Sequence, residues 1–274
     1  MKKFYVMASM LGLGMLGLAG VTPTLVSASD VTSNGQVKFK LDQSQTDPKN
    51  PLDPADKNPG KPTDPTQPGG KVPGGTGGPL SIDFASSLIF GEAEISHEDA
   101  TYYAKPQTFT QDDSKTVDRP NFIQVTDKRG TFEGWTLKVK QENQFAVKDD
   151  PTKELTGAQL SFTNGNLVSS TDAQYAPKFQ KSFDLIPGQA QIAPVEAAAD
   201  QGMGTWIYRF GDDKEMAKSI ALSVPGKTPK MAKAYTTALT WSLESTPANT
   251  TSTPSTTSTT STTSTPSTTG TTKP

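Results

Sequence analysis

From Pro79 to about Thr246 the chain repeats one pattern, in which short runs alternate apolar and polar residues and end at Gly, Pro or Asn. Residues two apart share a face of a strand, so each run marks one buried and one solvated side. "WTLKVK" sets Trp135, Leu137 and Val139 against Thr136, Lys138 and Lys140. "FIQVTD" joins Ile123 to Val125, "AQLSFTNG" joins Leu160 to Phe162, and "KSIALSVPG" aligns Ile220, Leu222 and Val224. "YTTALTWSLE" aligns Tyr235, Leu239, Trp241 and Leu243, and "SIDFASSLIFG" puts Ile82 and Phe84 together. Asn164-Gly165 offers a hairpin turn. "VEAAAD", Val195 to Asp200, is the one stretch expected to form a helical turn. Many short strands with this punctuation define an all-β fold, a β-sandwich that is Ig-like in general architecture.

The flanks differ in kind. Residues 29–78 are rich in Pro, Gly, Asp and Lys, with "TDPKNPLDPADKNPGKPTDPTQPGGKVPGGTGG" nearly free of apolar side chains. Such a segment cannot bury enough surface to offset its ordering entropy, so it is expected to be a disordered linker, extended in its Pro-rich half. "GQVKFKLD" inside it carries a short alternation that suits a lone strand or an adaptor. Residues 248–274 are almost wholly Ser, Thr and Pro, and are expected to be a disordered tail. Lys2 and Lys3, the apolar stretch Phe4 to Val21, Pro23 and Val26-Ser27-Ala28 form the pattern of a signal peptide over residues 1–28. No apolar run of spanning length and no Leu-Pro-x-Thr-Gly sorting signal follows the packed zone, so attachment to a surface is expected to be non-covalent.

There is no Cys, so a secreted domain of this kind must hold together by its apolar core alone. At this length it can bury roughly 70% of the surface of its unfolded chain. One His (His97) and no Cys leave few transition-metal ligands. The small negative net charge, −2, does not suit a nucleic-acid binder. Asp112-Asp113, Asp149-Asp150 and Asp212-Asp213 are adjacent, so in strands they would point to opposite faces and could not share a substrate. They read as solvated turns. His97 has no Cys and no nucleophile turn to serve. The chain is therefore read as non-catalytic and without cofactor.

Two of the three Trp sit in the same tripeptide: Trp135-Thr136-Leu137 and Trp241-Ser242-Leu243. Both lie on the apolar side of their runs, which makes them two parts of one core. An indole can also stack on a sugar ring from an open edge, so a ligand role stays open for Trp135 and Trp241, and for Trp206 in "GMGTWIYRFG".

These blocks closely resemble the WxL domain of low-GC Gram-positive surface proteins. "VTDKRGTFEGWTLKVKQENQF" matches the proximal motif with its lead-in from Val125 to Gly130, and "LTGAQLSFTNG", "GMGTWIYRFG", "IALSVPG" and "AYTTALTWSLESTP" follow in family order. The resemblance covers residues 79–247. It implies an extracellular, cell-wall-associated protein that binds peptidoglycan non-covalently. It also implies companion membrane-anchored surface proteins, with a scaffold subunit docking such a partner as the alternative. Its signatures fall on Trp135, Leu137, Trp241 and Leu243. Two features depart from the family pattern: the Ser/Thr-rich tail, and a linker where many such chains carry an adhesive region.

Overall fold

The computed structural model describes residues 30–246, so the signal-peptide pattern and the Ser/Thr tail lie outside the described residues. The chain divides into residues 1–39 and residues 40–274. Among the described residues of the first unit, 30–39, Val37 and Phe39 are exposed and no strand forms; the alternation of "GQVKFKLD" is not realised as a strand.

The second unit is an all-β sandwich, with three four-stranded antiparallel sheets, two smaller ones and no α-helix among the described residues. One sheet runs in the order Lys178–Phe179, Ile192–Ala197, Trp135–Gln141, Leu239–Ser245. A second runs Gly165–Val168, Gly204–Phe210, Phe122–Asp127, Leu80–Ala85. The third runs Phe183–Leu185, Gln159–Phe162, Ile220–Val224, Ala100–Tyr103. All three contribute to one core, in which Leu137, Val139, Val125, Trp206, Leu160 and Ile220 are buried. The alternation read in the sequence is realised here: Leu160 and Phe162 are buried together, as are Ile220, Leu222 and Val224.

Four expectations change. Residues 195–200 do not form a helical turn: Ile192–Ala197 is a strand, with Val195 opposite Leu137 and Ala197 opposite Trp135. Val195 and Ala197 face the core while Glu196 is exposed, so cross-strand pairing outweighs the helix preference of the alanines. Asn164-Gly165 is not a hairpin turn, because the strands it joins belong to different sheets. Asn164 takes φ 53° there, and a side chain at Gly165 would collide with Gln180 O and the Tyr208 hydroxyl. Ile82 and Phe84 do not share a face, because the register shifts between them. That bulge sends Ile82 into the main core and Phe84 into a second cluster with Phe109, Phe122 and Ile207.

The fourth change concerns the segment read as a linker. From Asp42 to Asp64 it lies as a strap over the second sheet. Lys128 Nζ reaches Asp42 and the Ser44 carbonyl, and Arg209 donates to the Pro51 carbonyl. Gln124 is gripped twice: its Nε2 donates to Asp47 O at 3.0 Å, and its Oε1 accepts from Lys49 N–H at 2.8 Å. Lys61–Pro62 then pairs with the Gln107–Thr110 hairpin strand. This cover explains why Phe122–Asp127 is buried on both faces, Gln124 completely. The strap buries Pro51 and Pro62, and its backbone satisfies polar groups that the sheet would otherwise leave unpaired.

Candidate functional site

The two Trp-x-Leu strands are antiparallel neighbours. Trp135 stands opposite Ser245, Leu137 opposite Leu243 and Val139 opposite Trp241. Both indoles therefore lie on the inner face of one sheet. They are separated by four residues along the strand, about 13 Å.

Their surroundings differ. Trp135 is 1% exposed, and its Nε1–H donates to Gly202 O at 3.0 Å. Gly202 has φ 77°, and a Cβ there would sit 2.4 Å from the indole nitrogen, so only Gly admits this contact. Leu137 is fully buried. Trp206, in the second sheet, is 3% exposed and donates to Met203 O. Trp241 and Leu243 are half-buried, on a strand that ends its sheet. Trp241 and Leu239 border a small gap of about 10 Å³, mostly apolar, with Leu88, Phe162, Phe210 and Ile220. A ligand outside the fold can meet Trp241; it meets Trp135, Leu137 and Trp206 only by opening the core.

The lead-in to the proximal motif is an anchor. Arg129 makes a bidentate pair with Asp127, 3.0 Å from Nε and 2.8 Å from NH2, and is mostly buried. It also donates to Glu133, Gly134 O and Ser245 Oγ. One guanidinium thus ties the end of the Phe122–Asp127 strand, the start of the proximal motif and the end of the distal strand. Sequence reasoning did not single out Arg129; its place within the motif's lead-in was the available signal.

On the outer face of the motif sheet, Lys138 pairs with Glu244 across the strands at 2.6 Å and Lys140 with Glu142 at 2.7 Å. The acidic pairs are turn chemistry. Asp113 pairs with Lys115, Asp150 accepts from Thr152, and Asp212 Oδ1 accepts from Lys214 N–H and Glu215 N–H. His97 is exposed in a loop. Among the described residues no cluster of three His, Cys, Asp or Glu converges as a metal site would need.

The two Trp-x-Leu strands thus pair through their leucines within an antiparallel sandwich. A family model described as "WxL domain surface cell wall-binding" matches residues 26–247, and the chain belongs to this WxL family. It is accordingly an extracellular, cell-wall-associated protein of a non-catalytic binding family. The matched range takes in the strap as well as the sandwich. No curated protein and no solved structure matches the chain. Among the described residues, no helix is long and apolar enough to cross a membrane.

Proposed function

We propose that the chain is exported and held at the wall by non-covalent binding of peptidoglycan, with the edge around Trp241 as the contact surface. The observation that carries this is the asymmetry of the motifs. Trp135 is enclosed and locked by Gly202, whereas Trp241 is half-buried on the strand that ends its sheet. An indole in that position offers a flat apolar face for the CH-rich side of a sugar ring. Trp135, Leu137 and Leu243 hold the strand that presents it.

A second reading has the domain dock a companion membrane-anchored surface protein. The position of Leu239–Ser245 at the end of its sheet favours it, because a terminal strand can accept an added one. Sedimentation with purified, protein-free peptidoglycan separates the two. Pelleting supports direct binding. A chain that stays in the supernatant there, yet pellets with walls that retain their proteins, supports the docking reading.

A further inference from the structure

A second polar site lies on the outer face of the Gly204–Phe210 sheet, away from Trp241. Lys49, Ser169, Ser170, Thr171 and Thr205 line a pocket of about 200 Å³. One wall comes from the strap, which Gln124 holds by the Lys49 N–H and the Asp47 carbonyl. The opposite wall is the turn after Gly165–Val168, braced by Ser169 Oγ, which donates to Thr205 O and accepts from Thr171 N–H. The pocket is thus built by two segments, each pinned by hydrogen bonds.

A buried carboxylate sets the polarity of its floor. Asp83 is 3% exposed and accepts from Ser81 Oγ at 2.6 Å, Gln124 Nε2 at 2.8 Å and Thr126 Oγ1 at 2.5 Å. The single proton of the Thr126 hydroxyl is committed to Asp83. The 2.9 Å contact between Thr126 Oγ1 and Thr205 Oγ1 must then take its proton from Thr205. Thr205 Oγ1 therefore faces the pocket as an acceptor only. Lys49 brings the opposite demand: it makes no ion pair among the described residues, and its ammonium can only donate.

We infer that this pocket binds one hydroxyl-bearing, singly anionic unit of a wall polymer, whose hydroxyl donates to Thr205 and whose anionic group meets Lys49. An anion without a hydroxyl, such as sulfate, supplies no donor for Thr205, and a neutral sugar brings no charge to balance Lys49. The volume lies below the roughly 300–1,000 Å³ of drug-sized sites, which suits one sugar or polyol unit. The inference rests on the wall reading only for the source of the ligand. Two sources share the chemistry: a sugar carrying a carboxylate and a polyol phosphate.

The test is an NMR titration of the full chain with N-acetylmuramic acid, with glycerophosphoglycerol as a singly charged phosphodiester, and with N-acetylglucosamine as the neutral control. At least one anionic probe is expected to move the amide signals of Thr171, Gly204 and Thr205, and to bind roughly three- to tenfold more tightly than the control. Whichever does so identifies the source. Lys49→Gln should remove that preference while leaving the melting temperature unchanged. Thr205→Val should weaken all binding and keep the preference. Equal binding of charged and neutral probes, or shifts confined to other regions, overturns the inference. Peptidoglycan pelleting of Lys49→Gln runs in parallel: a chain that still pellets while the titration fails loses this pocket and keeps the proposed function.

Discussion

Leu137 and Leu243, more than a hundred residues apart in the chain, face each other across an antiparallel strand pair. Leu137 is fully buried and Leu243 packs against the same core from the sheet's edge. The repeated tripeptide is therefore a pairing device before it is a binding device. Two distant segments close on each other through the same residue type. Arg129 fastens the end of the pair through Ser245.

Because Trp135 is enclosed, Trp135→Ala should cost about 3–5 kcal/mol. That is a large share of a domain stability of roughly 5–15 kcal/mol. Denaturant unfolding followed by fluorescence measures it. A loss below about 1 kcal/mol would show that the indole does not hold the core.

Gly202→Ala should also destabilise, by about 1–3 kcal/mol. Its φ of 77° strains any L side chain, and the added methyl would meet Trp135 Nε1 and Ala197 Cβ. Pairing it with Trp135→Phe, which removes the nitrogen, should recover part of the loss in the same unfolding assay.

The strap should behave as part of the domain. A chain beginning at Pro79 should be less stable than one beginning at Lys40 by about 2 kcal/mol or more, since it unpairs the Gln124 amide and uncovers the outer sheet. Hydrophobic-dye binding should rise with it. Equal melting temperatures would restore the segment to the status of a spacer.

Burial raises the Asp83 carboxyl above its ordinary 3.8, against the hydrogen bonds from Ser81, Thr126 and Gln124. In the unfolded chain the group ionises at the ordinary value, and in the folded chain at a higher pH. Ionisation therefore favours the unfolded chain, and Asp83 subtracts stability as pH rises from 3.8 through the folded value, with no further change above it. Melting temperatures of the wild type and Asp83→Asn across that acid range should diverge in this sense. A wild type that gains on the variant as pH rises would contradict the buried placement.

The sandwich was legible because its inward faces obey strict alternation, most clearly in Trp135–Gln141, where every second residue is buried. The spacing of the two motifs allows their strands to be neighbours, and they pair with Leu137 opposite Leu243. The strap was not legible. Its contacts run largely from its backbone groups to Gln124, Lys128 and Arg209, and composition carries no record of where a carbonyl points. The bulge at Asp83 was hidden for a related reason: the period of two continues on paper through Ile82 and Phe84, and only the pairing shows the inserted residue. Trp241 could not be told from Trp135 by pattern, since both sit at inward positions. Its place on a terminal strand is what exposes it.

The central claim is that Trp135 builds the fold and Trp241 meets the wall. The most direct measurement is pelleting of Trp241→Ala with purified peptidoglycan, beside its melting temperature. The account predicts binding weakened roughly tenfold or more, with a stability loss of only about 1–2 kcal/mol. Undiminished pelleting by a folded Trp241→Ala chain would contradict it.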